Sequence, residues 1–285
     1  MPVSAPSSYD YRPMTADDVA NAHALSQALK WPHRLEDWAM LQRTTQSFVA
    51  MDNGQVIGSA FACHQGAFST IGLVIVSDAY QGKGIGRTLM ELAVGCVPPR
   101  TAILNATLAG EPLYAKMGFK AFGTVEQRQG AALPSELLPA NTGDHYRDLG
   151  RADSPSLVAL ATAGSGLDRA ALLDDLLPAI ERGVGIEQDG QLQGFALLRR
   201  FGRGLCIGPV IAQDSAQAQR LIATLLNGVP GEFVRIDIPT TSGLSAWLEK
   251  VGLAKVDSVT QMSLGPIPQA TGGVSQFALI TQALG

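Results

Sequence analysis

The sequence has little charge: Asp, Glu, Lys and Arg make up 16% of its 285 residues, against 46% hydrophobic residues. Such a balance excludes a chain too polar to bury a core, and the length suffices for about two domains. No stretch approaches the ~20 consecutive apolar residues of a membrane-spanning helix, so no membrane partner is expected. Residues 1–8 hold no basic patch ahead of an apolar run, which argues against a secretory leader. Cysteine is scarce too. Cys63, Cys96 and Cys206 are odd in number, widely spaced and set among apolar residues. They read as free thiols of a reducing compartment, neither a disulfide framework nor a metal site, and point to the cytoplasm. A concentrated basic face is missing and the net charge is −4, so nucleic acid is not the expected partner.

What is present is an ordered alternation of patterns. Residues 9–13 read as a strand. Thr15, with Asp18 three residues on, opens a helix through about Leu29, and a second helix covers residues 35–42. Two strands, 48–51 and 55–63, flank the turn Asp52-Asn53-Gly54. A near-continuous apolar strand at 69–76 leads into a glycine-rich loop and a helix at 87–96. A strand at 101–107, a helix at 112–117 and a strand at 119–126 follow. Residues 129–144, with two prolines, two glycines and no periodicity, read as a connector.

The second half repeats this order. Asn53-Gly54 falls on Asp189-Gly190, Gly58 on Gly194, Gly72 on Gly208 and Asp78 on Asp214, at a constant offset of about 136 positions. Lys116-Met117-Gly118-Phe119 resembles Lys250-Val251-Gly252-Leu253, and Arg34 finds a counterpart in Arg169. The expected organisation is a first unit at 1–130, a connector at 131–144 and a second copy at 145–285. A final strand near residues 276–284 completes a sheet.

The segment richest in chemistry is Gln81-Gly82-Lys83-Gly84-Ile85-Gly86-Arg87. Glycines free the backbone to turn N–H groups inward, and a helix N-terminus adds unpaired donors and partial positive charge. Together they form a cradle for phosphate, with Lys83 and Arg87 nearby. The spacing does not match the dinucleotide fingerprint, and no Gly-Lys-Ser/Thr closes a P-loop. It does resemble the Gln/Arg-x-x-Gly-x-Gly/Ala loop of the GNAT N-acetyltransferases. Tyr114-Ala115-Lys116-Met117-Gly118-Phe119 is similar to that family's Tyr-x-x-x-Gly-Phe segment.

The resemblance implies an α/β protein of two tandem GNAT-like domains, each a mixed central sheet flanked by helices, with acetyl-CoA as cosubstrate and no metal. It implies backbone contacts from Val74 and Val76 to pantetheine, and Gln81, Gly82, Lys83, Gly84, Ile85, Gly86 and Arg87 around the pyrophosphate. Asn105 matches a CoA-contacting position, and Tyr114 the acid beside the leaving thiolate. The acceptor would be a small-molecule or peptide amine, the chain a monomer or homodimer. The strand that carries a carboxylate base in many relatives reads Ser69-Thr70-Ile71-Gly72-Leu73-Val74 and has none. An alkylammonium of pKa ~10.4 is neutral in about one molecule in 2500 at pH 7, a cost near ~4.6 kcal/mol, so some group must collect its proton. His33 is the candidate base, with Trp31, Arg34 and Trp38 around the acceptor and His64 as a rival. The second copy has no glycine cradle and carries Leu248 where the first has Tyr114, so it is expected to bind no CoA. A non-catalytic acyl-CoA sensor is the alternative function.

Overall fold

In the computed structural model, which describes residues 9–285, thirteen strands join one sheet among the described residues. The leader reading concerns residues 1–8 and lies outside them. Strands β1 (Asp10–Pro13), β2 (Gln46–Asp52), β3 (Gln55–Gln65), β4 (Phe68–Val76) and β5 (Thr101–Ala106) lie side by side in chain order. Helices α1 (Val19–Ala28) and α2 (Leu35–Thr44) cover one face of these strands. Helices α3 (Ile85–Gly95) and α4 (Glu111–Lys116) pack with a separate core on the other. Ile85, Leu89, Met90 and Ala93 form the buried stripe of α3, the spacing of an amphipathic helix.

The second half repeats the plan. After β6 (Lys120–Ala131) come β7 (His145–Asp148), α5 (Ser154–Ser165), α6 (Ala170–Leu176), β8 (Ile180–Gln188), β9 (Gln191–Phe201) and β10 (Gly204–Ala212). They are followed by α7 (Ser215–Asn227), β11 (Phe233–Pro239), α8 (Ser245–Lys250), β12 (Ala254–Ser263) and β13 (Ser275–Ala278). The duplication is visible atom by atom. Asn53-Gly54 and Asp189-Gly190 both turn with positive φ, as a two-residue hairpin loop requires. A Cβ on Gly58 would lie 3.0 Å from the Ile75 carbonyl; one on Gly194 would lie 2.7 Å from that of Ile211, the matching residue. Arg12 clamps Asp18 as Arg147 clamps Asp153.

The sheet order is β1-β2-β3-β4-β5-β12-β6-β11-β10-β9-β8-β7. Each half has therefore given one strand to the other: β12 pairs with β5, and β6 pairs with β11. The two exchanged strands run antiparallel at the centre, where Val259 faces Val125. One hydrophobic core, built from α1, α2, α5 and α6, crosses the boundary between the halves.

The expected connector shortens accordingly, because β6 continues through Gln129 and Gly130 to Ala131. From Glu126 to Gln129 both of its faces are polar. Arg128 is buried against Glu126 and Glu249, while Gln127 and Gln129 project from the opposite face, so the alternation that marks a half-buried strand is absent. Gly130 is a packing glycine: a Cβ there would overlap the carbonyl oxygen of Gly252. The three cysteines are free, and burial pushes the Cys63 thiol up to about 11. No helix among the described residues is long and apolar enough to cross a membrane.

Candidate active site

Strand β4 pairs in parallel with β5 only from Phe68 to Ile71. At Leu73 the backbone takes a positive φ of 48° and the register with β3 shifts, a bulge that bends β4 away from β5. Ser59 Oγ donates to the Leu73 carbonyl at 2.8 Å and fixes the bend. Val74 and Val76 lie past this point, half-buried, where β4 no longer pairs with β5.

The loop after β4 is the predicted cradle. Gly82 and Gly84 have φ of 74° and 83°, and a Cβ at either would meet nothing within 4 Å. The space above them is open. Among the described residues no backbone N–H from Gly82 to Arg87 donates to a backbone carbonyl, the first bond being Thr88 N–H to Gly84 at 3.1 Å. This is a run of free donors at a helix N-terminus, suited to phosphate oxygens. Gly86 serves a different end, bringing α3 to the Val76 side chain. Ile85 is buried. Gln81 is turned back to the Val76 carbonyl and Asp78, Lys83 lies over the Tyr80 ring, and Arg87 pairs with Glu91 at the surface. The cradle is thus mainly backbone.

Tyr114 lies on the α4 side of the sheet, 8% exposed and packed on Phe119. Its hydroxyl has no hydrogen-bond partner among the described residues, and burial pushes its pKa up to about 12. Gly110 leaves room for the ring; a Cβ there would sit 2.9 Å from it.

On the opposite face lies a cavity of about 190 Å³. Leu73, Asn105 and Thr107 border it from the first half, together with Trp31 and His33 from the α1–α2 connection. Phe201, Arg203, Arg235 and Asp257 close it from the second half. The strand exchange makes this possible: Arg235 faces Gln129 and Asp257 faces Gln127 across the central strands, so side chains of both copies share one floor. Sequence reading missed these second-half residues, since nothing local marks a strand as exchanged. The one available signal was the polar run Gln127 to Gln129, just past the strand expected at 119–126.

The acceptor-side residues separate on inspection. Trp31 and His33 line the cavity, and the His33 ring meets Phe201 edge-on at 5.5 Å. Burial, then the charge of Arg235, lowers the His33 pKa to about 4, and its Nδ1 is buried without a partner. An imidazole so depressed is a weak base. Trp38 is fully buried between Phe61 and His23 in the shared core and does not line this cavity. Arg34 caps α2 by pairing with Asp37 and donates to the Arg200 carbonyl, which makes it a clamp between the halves. His64 bonds with Ser69 and Gln46 at the far end of β4 from the bulge. Asn105 Nδ2 donates to the Gln282 carbonyl at 2.7 Å, so the C-terminal segment occupies the inner end of the splay beside it. Residue Ala283 stands against Gly72 there.

The second half has no equivalent opening. After Ile207 the pairing of β10 with β11 ends, as in β4, but β13 fills the gap by pairing with Val210 to Ala212. The Asp214 side chain caps α7 by accepting from Gln217 N–H where the first copy has free donors. Leu248 is buried.

A splayed strand pair beside a helix with free N-terminal donors is the architecture of an acyltransferase cleft. Comparison with known proteins agrees. The acetyltransferase (GNAT) domain family matches residues 13–133 and, through a second description of the same domain, residues 157–274. The uncharacterized N-acetyltransferase YitH of Bacillus subtilis (strain 168) is 33% identical over 267 residues, covering 90% of this chain and 91% of its own. A protein of Pyrococcus horikoshii assigned as an acetyltransferase shares the fold with a TM-score of 0.80 at 19% identity, over 98% of this chain and 96% of that one. A tandem GNAT protein from the clavulanic acid biosynthesis pathway does so at 0.62 and 15%, over 90% and 99%. The chain belongs to the GNAT acetyltransferases, in tandem form.

Proposed function

We propose that the protein transfers acetyl from acetyl-CoA to a primary amine by direct attack in a ternary complex, at one site per chain. The observation that carries this reading is the run of free N–H groups from Gly82 to Arg87 beside the splay of β4 and β5, with open space above Gly82 and Gly84. Acetyl-CoA supplies a thioester whose C–S bond breaks as the amine's N–C bond forms, leaving acetamide, CoA thiol and, from an acceptor ammonium, one proton.

The chain's own residues divide the remaining work. The backbone from Gly82 to Arg87 binds the pyrophosphate, and Val74 and Val76 present β-strand backbone along the splay. Tyr114 reaches the sulfur side from α4 and donates a hydrogen bond there. The amine enters from the cavity on the other face, past Trp31 and His33. Asp257 is the carboxylate that borders this cavity, supplied by the second copy's exchanged strand, and it relays the amine's proton outward. It takes the place of the base that β4 lacks.

The test is acetyl-CoA turnover over an amine panel, with calorimetric titration of acetyl-CoA. One equivalent per chain and a ~100-fold fall in kcat/KM for Asp257→Asn are expected, within the range of general base catalysis. Two equivalents bound, or an unchanged rate in Asp257→Asn, contradicts the reading.

A further inference from the structure

The cavity on the α1–α2 face carries more information than its position. Arg203, at the tip of the β9–β10 hairpin, is exposed and has neither carboxylate nor hydrogen-bond partner among the described residues. Arg235 is buried, with Nε and Nη2 on Asp237, but its Nη1 has no acceptor among the described residues. The guanidinium lies 5.5 Å over the Phe201 ring, which holds its plane. Lys30 adds a further cation at the rim.

On the anionic side stands Asp257, which accepts only from the Ser258 N–H and pairs with no cation among the described residues. With Asp237 counted as the partner of Arg235, three cations oppose two anions. A polycationic acceptor is disfavoured by that excess, and an acceptor bearing an anionic group is drawn in. A free cation and a free anion on one small cavity match a molecule with the opposite pair. The volume, about 190 Å³, is below the ~300–1,000 Å³ of drug-sized sites and excludes a bulky occupant.

Resting on the transfer reading above, we propose that the acceptor is a small zwitterion of the amino-acid type. Its carboxylate is held by Arg203 and the free edge of Arg235, and its amine lies on the Asp257 side, where β12 pairs with β6 at Gln127. Trp31 and Phe201 face the carbon skeleton. The degenerate copy, which lost its own cleft, thereby sets the specificity of the other.

The test pairs each standard amino acid with its α-carboxamide and with the amine lacking the carboxylate. Turnover is measured, and so is calorimetric binding to the protein with and without CoA. The acid is expected to exceed its amide by about 10- to 100-fold in kcat/KM, chiefly through KM, the size of one charge-assisted hydrogen-bond pair. Arg203→Ala collapses that ratio toward one, and Arg203→Lys retains part of it; Arg203 is exposed, so folding is not at issue. Binding should show the same loss of discrimination without chemistry. Amides or simple amines that match the acids overturn the zwitterion while leaving acetyl transfer standing. So does an Arg203→Ala variant with unchanged discrimination. If acetyl-CoA binds and nothing in the panel is acetylated, both proposals fall.

Discussion

Replacing Tyr114 by Phe separates the packing of the ring from the role proposed for the hydroxyl. The ring is part of the core, packed on Phe119 and accommodated by Gly110, while the hydroxyl has no protein partner among the described residues. Burial holds the phenol at about 12. Full proton transfer to a thiolate of pKa ~8.5 is then uphill by ~3.5 pKa units, or about 5 kcal/mol. On the proposed transfer, the hydroxyl would therefore act as a hydrogen-bond donor to the departing sulfur and would not deliver its proton outright. Losing one charge-assisted hydrogen bond of about 1.5–3 kcal/mol lowers kcat by roughly 10- to 150-fold. Stability should change by less than about 1 kcal/mol, since the ring stays and no buried partner is orphaned. Free-thiol release read against urea denaturation of the same preparations measures both. A rate loss under about threefold refutes the donor role. A destabilisation above about 2 kcal/mol shows that the hydroxyl serves the fold. An alkaline limb of kcat near pH 9 that Tyr114→Phe removes also contradicts the reasoning, because a phenol at about 12 is still protonated there.

Two further outcomes follow from the same structure. His33 is held at about 4 in the folded chain against ~6.5 unfolded, so the unfolded state binds the proton first as pH falls. Stability contributed by the neutral ring is present above pH ~6.5 and is lost toward pH 4, by up to roughly 3 kcal/mol. Denaturation series at pH 7, 5.5 and 4.5 should show a shallower acid decline in His33→Gln, and an identical decline removes His33 as its source. Because β6 and β12 are exchanged and one core spans both halves, urea unfolding should be a single transition by fluorescence and by far-ultraviolet dichroism. Two separated transitions would mean that the halves fold as independent units.

Much of each copy was legible in the sequence because its signals are local. The Asn53-Gly54 and Asp189-Gly190 turns, the Thr15–Asp18 cap and the glycine cradle are set by neighbours a few residues apart, and all appear in the fold. The acceptor side was hidden because its determinants are not local. Trp31 and Trp38 are seven residues apart in one segment. The helical turn between them sends Trp38 into the core and leaves Trp31 at the cavity. Arg34 and Arg169, matched in sequence, hold the same N-cap position ahead of α2 and α6 but differ in surroundings. Arg34 pairs with a carboxylate, whereas Arg169 is wholly buried, bonded to Gln65, Gln276, Ser165 and the Leu284 carbonyl, with burial lowering its pKa to about 10. Asp257, Arg235 and Arg203 come to the first half's cleft only through strand pairing, and no periodicity of their own segments announces that.

The exchange of strands inside one chain bears on how such a site can be altered by mutation. In a symmetric dimer of identical subunits, every residue placed on one wall also appears on the dyad-related wall, so a change made for one pocket is imposed on its twin. Here the hairpin tips have parted company: Gly66 and Gly202 both turn with positive φ, each against the other half's helix connection, yet Arg203 follows one and Ala67 the other. Fusion has freed the two walls to be written separately, and a lopsided pocket is the result.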